Sequence, residues 1–111
     1  MKNQFTHDVI FCIVNGGFSE AVMDAAKKGG AKGGTVINAR GTAGKEAEKF
    51  FGITVQEEKE IVMILASAEC KNAILEKLYE EVGLSSAGQG IAFSLPVDAV
   101  VGLSANTPAE K

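Results

Sequence analysis

The chain has 111 residues and a net charge of −3, with 46% hydrophobic and 23% charged residues. This length suits one domain with its own core and excludes a multidomain protein. The slightly acidic balance excludes a broad nucleic-acid surface, which needs clustered basic residues. No stretch reaches the roughly 18 apolar residues of a membrane span, and no signal peptide is visible, so we expect a cytoplasmic protein that does not span a membrane.

The first half of the chain predicts a strand, a helix and a strand. Val9 to Val14, "VIFCIV", is continuously apolar and β-branched, as a buried strand is. A helix is predicted from Ser19, an N-cap residue, to the pair Lys27-Lys28, where two glycines end it. Thr35 to Ala39 predicts a second strand, which the glycine-rich "GTAG" stops.

The second half repeats this pattern after a charged insert. Lys45 to Phe51, "KEAEKFF", predicts a short helical insert that projects into solvent. Ile61 to Ala66 predicts another buried strand, and helical spacing from Ala73 to Val82 predicts a second helix. Apolar residues alternate from Ile91 to Val97, which predicts a fourth strand, and Pro96 indicates its end or an edge position.

This order of elements predicts a ferredoxin-like α+β fold, the split βαβ-βαβ arrangement with an antiparallel four-stranded sheet and two helices on one face. Two strands are apolar at every position, whereas a sheet covered on one side should alternate. We therefore predict that subunits associate through the uncovered face. Residues 1–103 are expected to form this domain and residues 104–111 a polar, flexible tail.

Two glycine-rich loops are the candidate binding elements: "NARGTAG", Asn38 to Gly44, and "SSAGQG", Ser85 to Gly90. Their backbone N–H groups could wrap an anion, with Arg40 and Thr42 as further donors. Neither loop matches a phosphate-binding loop or a dinucleotide fingerprint, so tight turns without a ligand are the alternative interpretation.

Residues suited to catalysis or metal binding are scarce. His7, the single histidine, precedes the first strand and is interpreted as solvated rather than as a base. Cys12 and Cys70 lack metal-ligand spacing and are interpreted as reduced core thiols. The charged run Glu57 to Glu60 is interpreted as a solvated face. The sequence therefore predicts no catalytic residues and no metal site.

The segments "GGTVINARG" and "GQGIAFSLPVDAVV" resemble the PII signal-transduction family, over the range from Val9 to Val101. The resemblance implies a homotrimer with its sheets facing inward. It implies an adenine nucleotide (AMP, ADP or ATP) as effector in clefts between subunits, with no prosthetic group. It also implies regulation of a partner protein, a membrane transporter or an enzyme, in nitrogen metabolism. The family acts on partners through a T-loop, here shortened to about Thr42 to Phe51.

The resemblance also assigns roles by position. Thr35 matches the threonine near the adenine, Gly41 the glycine that starts the T-loop, and Arg40 the basic residue before it. Gly88 and Gly90 match the glycines of the phosphate-contacting B-loop. The nucleotide-binding residues expected from the loops and the resemblance are Thr35, Arg40, Gly41, Thr42, Gly88, Gln89 and Gly90.

Several positions depart from the family pattern. Gln89 replaces the B-loop aspartate, Ile91 replaces its phosphate-binding lysine, and Glu58 aligns with the lysine that enters the third strand. Gly44 and Lys45 stand where the family has arginine and the glutamine that helps to hold magnesium and 2-oxoglutarate. A charge-assisted contact to phosphate is worth about 1.5 to 3 kcal/mol, so these losses predict weak triphosphate binding. A less charged adenine nucleotide or another effector is expected instead.

Two other functions compete with a PII-like regulator. A trimeric divalent-metal tolerance protein of the CutA type would share the ferredoxin-like architecture, but the sequence lacks a Cys/His cluster. A small ferredoxin-like enzyme would need a base that the sequence does not show.

Overall fold

The computed structural model describes residues 5–42, 49–50, 52 and 57–103. Its regular elements are β1 (His7–Asn15), α1 (Ser19–Lys28), β2 (Thr35–Arg40), β3 (Glu58–Ser67), α2 (Lys71–Val82) and β4 (Ile91–Val97). The strands form one antiparallel sheet in the order β2-β3-β1-β4. This confirms the predicted ferredoxin-like α+β fold, and Pro96 lies on an edge strand as expected.

Parts of the predicted organisation fall outside the described residues. Of the insert from Lys45 to Phe51, the structure describes Lys49 and Phe50, which are helical. The rest of that insert and the tail 104–111 lie outside the described residues, as do Gly44 and Lys45. Among the helices of the described ranges, none is long and apolar enough to cross a membrane.

The core lies between the sheet and the two helices. Alternate residues of β1 and β3 point into it because successive side chains of a strand face opposite sides. Each fully buried aliphatic side chain stabilises the fold by about 1.5 to 3 kcal/mol relative to exposure. The largest fully buried side chains are Ile10, Cys12, Val14, Val22, Val62, Ile64, Ile74 and Leu78. Burial also raises the pKa of the Cys12 thiol to about 11, which keeps it protonated.

The other face of the sheet is apolar and has no cover from the described elements, and we call it the open face. Phe11 and Phe93 pair on it with ring centroids 5.5 Å apart. Leu65 of the continuously apolar β3 is 38% exposed, and Phe93 of β4 is 45% exposed, so the sheet has a second apolar surface, as predicted. The apolar residues that β1, β3 and β4 place there are Val9, Phe11, Ile13, Ile61, Met63, Leu65, Ile91, Phe93, Leu95 and Val97.

Helix α1 begins differently from the prediction. The N-cap is Phe18, which makes no side-chain cap bond, so the prediction of Ser19 as N-cap is wrong. Instead, the Ser19 N–H donates to Glu60 Oε1 at 3.1 Å. Glu60 stands on β3, and its carboxylate faces the positive end of the helix dipole. A residue distant in sequence thus caps this helix.

The glycine stop at the other end of α1 is confirmed. Gly30 has φ +112°, and its N–H donates to Lys27 O while the Ala31 N–H donates to Ala26 O. These two bonds form a Schellman motif, in which glycine takes the left-handed position without strain. The preceding Gly29 lies against α2, because a Cβ there would stand 2.7 Å from both Cα and N of Ile74.

We expect Gly29→Ala to lower the free energy of unfolding by about 1 to 3 kcal/mol, because the added methyl group overpacks the contact between the helices. Urea unfolding, monitored by circular dichroism at fixed protein concentration, measures this change in the free energy of unfolding. Gly33→Ala is the matched control, since a Cβ there meets nothing within 4 Å. Equal stability of the two variants would contradict the close approach of α1 to α2.

Candidate functional site

The two glycine-rich loops lie at the same end of the sheet. Strands β1 and β2 end there, and β3 and β4 begin there. We call this end of the sheet the loop end. Asn15, Arg40, Glu58 and Ile91 are the strand residues that border it.

Asn15 connects β1 to the loop that precedes β4. Its side chain is buried, with the residue 8% exposed. The Asn15 N–H donates to Gly88 O at 2.9 Å, and Nδ2 donates to Ala87 O at 3.1 Å and to Gln89 Oε1 at 3.4 Å. These bonds fix the loop on the end of the central strand. This role of Asn15 could not be predicted from the sequence, in which Asn15 only ends an apolar run.

Lys59 reaches the same amide from β3. Its ammonium donates to Asn15 Oδ1 at 2.7 Å. Gly41 lies beside the stem of this lysine, because a Cβ at Gly41 would stand 3.0 Å from Lys59 Cε. The side chains of Lys59 and Asn15 therefore bridge the loop end from β2 towards β4. The interpretation of Glu57 to Glu60 as a solvated face is wrong for Lys59 and Glu60, which are half-buried and hydrogen-bonded.

The internal bonds of the loop before β4 limit which of its N–H groups a ligand could reach. The N–H groups of Ser86, Gln89 and Gly90 donate to main-chain oxygens. Within the described residues, the N–H groups of Ala87 and Gly88 have no such acceptor. Of these two residues, Ala87 is exposed, whereas Gly88 is buried beside Phe18. The N–H groups of Gln89 and Gly90 are already used within the loop, so among these residues Ala87 is the exposed one whose N–H has no main-chain acceptor.

Backbone packing explains the glycine at position 90. A Cβ at Gly90 would collide with Val82 O, so this position excludes a side chain whether or not a ligand binds. Gln89 is the one described residue other than glycine with a positive φ, at +50°. Such a conformation is uncommon and marks a tight turn. The tight-turn interpretation therefore accounts for part of the loop without a ligand.

Arg40 and Lys59 lie on opposite faces of the sheet. The register pairs Ala39 with Lys59 on the open face and Arg40 with Glu58 on the side of the helices. Both Arg40 and Thr42 are exposed. The cation that the structure brings to the side of the open face is therefore Lys59, which the sequence analysis did not select.

Thr35 lies far from the other predicted residues within one subunit. It begins β2, and Gly41 follows the end of that strand, so about 20 Å of extended chain separates them. Gly41 is also apart from the loop before β4, because β3 and β1 lie between. At the loop end, Gly41 lies beside Lys59, and Gly88 and Gln89 are hydrogen-bonded to Asn15. Thr35 lies at the opposite end of the sheet.

Thr35 instead lines a cavity of about 420 Å³ on the open face. The other lining residues are Val9, Gly33, Gly34, Met63 and Leu65. This cavity is shallow and apolar, with the Thr35 hydroxyl as its polar side-chain group. In the described part of the chain, no group of three or more His, Cys, Asp or Glu residues could hold a metal ion.

Solved structures of PII proteins share this architecture at low sequence identity. PII from Arabidopsis thaliana, solved with citrate bound, has a TM-score of 0.66 and 22% identity, over 90% of this chain and 82% of that one. A protein assigned as PII-like signalling from Thermus thermophilus has a TM-score of 0.63 and 20% identity, over 84% and 87%. CPII from Thiomonas intermedia, solved with ADP, AMP and bicarbonate, has a TM-score of 0.62 and 16% identity, over 84% and 91%.

The sequence itself matches the family model of the nitrogen regulatory protein P-II over residues 8–107. A search of curated proteins gave no significant match. The chain therefore belongs to the PII family, whose members are regulatory proteins rather than enzymes. This confirms the resemblance seen in the glycine-rich segments.

We expect Asn15→Ala to lower the free energy of unfolding by roughly 2 to 4 kcal/mol, because Lys59 and the main chain of Ala87 lose a buried partner together. Amide hydrogen exchange should become faster in residues 83–90, which the Asn15 side chain helps to hold. Asn38→Ala is the control, since Asn38 is exposed. Unchanged exchange in that loop would show that Asn15 does not fix it.

Proposed function

We propose that this PII-family protein is a homotrimeric signalling protein that binds an adenine nucleotide in clefts between subunits and thereby regulates a partner protein. The observation that carries the proposal is the position of the loop end, which borders an uncovered apolar sheet face. A second copy that covers this face meets the residues around Lys59 and Asn15 at its rim. The family, which is typically trimeric and effector-binding, supports the same arrangement.

The open face supports association of subunits. Several large apolar side chains on it are more than one third exposed in the single chain, among them Leu65, Phe93 and Leu95. Contiguous apolar patches of this kind are uncommon on soluble monomers and typical of interfaces. Burial of each such side chain contributes about 1.5 to 3 kcal/mol. Three copies with their sheets inward cover the face of every subunit.

The separation of Thr35 from the loops supports a site shared between subunits. If Thr35 contacts the adenine and Gly88 lies near the phosphate, one chain cannot supply both contacts, because they lie at opposite ends of the sheet. A neighbouring copy can place its Thr35 cavity beside the loop end of the first. The cavity and the loop before β4, with the exposed Ala87, then form the two walls of one cleft.

The charges favour an effector with few phosphates. Ile91 lies on the open face, 58% exposed, where the family has a phosphate-binding lysine. Gln89 uses its side chain to contact Asn15 rather than to bind a cation. AMP or ADP therefore fits the site better than ATP. CPII, which shares the fold, was solved with ADP and AMP.

The remaining parts of the proposal follow from family membership. The regulated partner is a membrane transporter or an enzyme, and nitrogen metabolism is the setting that the family's name indicates. The protein acts in the cytoplasm, catalyses no reaction itself, and needs no prosthetic group or nucleic acid. The T-loop segment that would contact the partner lies mostly outside the described residues.

Isothermal titration calorimetry with AMP, ADP, ATP and cyclic AMP tests the proposal. The titrations are made on the wild type and on the variant Phe93→Glu. We expect the wild type to bind AMP or ADP. Phe93→Glu should yield a monomer by light scattering and lose nucleotide binding, because a charge on the open face opposes its burial. Tyr79→Glu is the control, since Tyr79 is 80% exposed on α2. A wild type that binds none of the four nucleotides, or a monomeric variant with unchanged affinity, contradicts the proposal.

A further inference from the structure

A pocket opens between α2 and β4, on the side of the sheet that carries the helices. Its volume is about 360 Å³, near the lower end of the range for ligand pockets. The register pairs Cys12 of β1 with Ala92 of β4, and both residues line the pocket. The other lining residues are Leu75, Leu78, Tyr79, Val82, Gly83, Leu84, Gly90 and Ile91. Because the open face is on the other side of the sheet, three copies with their sheets inward leave this pocket at the outer surface.

The lining of the pocket is apolar from its floor to its mouth. Cys12 and Leu78 are buried and form the floor. Tyr79 and Leu84 at the mouth are 80% and 61% exposed. A recess with large apolar side chains exposed around it is typical of a surface that receives an apolar group from another molecule. The pocket therefore favours an apolar side chain over a polar one.

The end of α2 beside the pocket is negative. Its last turn contains no basic residue, although the negative end of the helix dipole favours one there. Glu80 and Glu81 lie in this turn instead. Outside the helix, none of the described main-chain N–H groups donates to Glu80 O or Glu81 O. Lysine and arginine side chains bind such terminal carbonyls, so this end of α2 is suited to a cation from another molecule.

The lysines nearby neutralise only part of this charge. Lys28 pairs with Glu81 at 2.8 Å, and Lys77 pairs with Glu80 at 3.5 Å. Glu76, one turn before Glu80 on α2, takes part in neither of these ion pairs, which are those found in the described part of the chain. Solvent-exposed pairs of this kind contribute little, so they do not prevent a further cation from binding. An excess of negative charge therefore borders the apolar pocket.

We propose that this pocket binds a segment of a partner protein in which an apolar side chain lies next to lysine or arginine. The apolar side chain enters between α2 and β4, and the cation lies at the end of α2 beside Glu76 and Glu80. The exposed ring of Tyr79, between these two carboxylates in sequence, offers its face to the same cation. The inference rests on the proposed function only in taking the segment to belong to the regulated partner, since its contacts use neither the nucleotide cleft nor the T-loop.

Methyl NMR on the full chain tests this with three capped decapeptides of glycine and serine. The first carries two central leucines flanked by arginines, the second replaces the arginines by glutamates, and the third replaces the leucines by serines. We expect the first peptide to shift the methyl resonances of Leu75 and Leu78 with millimolar affinity. The other two should bind about fivefold more weakly or less. Equal binding of the first two peptides, or no shift of these methyl resonances, would overturn the inference.

Variants separate the contribution of the charges from that of the pocket. Glu76→Lys combined with Glu80→Lys should weaken binding of the arginine peptide by about fivefold to tenfold. Glu69→Lys is the matched control, since Glu69 is exposed before the other end of α2, and it should change nothing. Ala92→Leu should abolish binding because it fills the pocket. Since overpacking can also unfold a chain, Leu84→Ser at the exposed mouth is the second variant and should weaken binding. Unchanged affinity in the double variant and in Leu84→Ser would contradict the proposal.

Measurements on the free protein identify other occupants of the pocket. Methyl shifts of Leu75 and Leu78 that follow protein concentration without peptide would assign the pocket to a second copy. Shifts caused by removal of residues 104–111 would assign it to the tail, and either result overturns the inference. If the arginine peptide binds but no nucleotide does, the inference stands and the nucleotide effector is refuted. Nucleotide binding without peptide binding gives the reverse conclusion.

Discussion

The apolar sheet face that the helices leave uncovered is the constraint on which the proposed assembly depends. The helices cover one side of the sheet and bury the aliphatic residues of β1 and β3 there. The opposite side carries Phe11, Met63 and Phe93 and receives no cover from the described elements. Because apolar surface of this extent favours association, the open face is where the proposed trimer would form its contacts. Any ligand site formed by that contact must lie along its rim.

The rim at the loop end is organised by hydrogen bonds rather than by apolar packing. Asn15 links the end of β1, the start of β3 and the loop before β4 through a single buried amide. A buried polar group is stable only when its donors and acceptors are satisfied, and the Asn15 amide uses both its nitrogen and its oxygen here. The same few residues thus hold the loop in place and orient the one cation that the described strands place on the open face.

The sequence predicted the fold well because the fold depends on local patterns. Continuous apolar runs identified β1 and β3, and helical spacing identified both helices. The cap of α1 and the hydrogen bonds of Asn15 could not be predicted from local patterns. Glu60 lies more than forty positions from Ser19 along the chain, and Lys59 lies more than forty positions from Asn15. A signal for Lys59 was nevertheless present. It is in phase with Ile61 and Met63 at a period of two, which places it on the open face once β3 is extended backwards.

Sedimentation velocity over a dilution series, with and without AMP, tests the central claim that the ligand site is shared between copies. Without ligand, the account predicts a particle of three 11.6 kDa chains that dissociates at low concentration. A ligand that binds only the assembled state stabilises it by mass action, so AMP should shift dissociation to lower protein concentration. A monomer at all concentrations, or a trimer whose dissociation does not respond to AMP that binds it, would contradict the account.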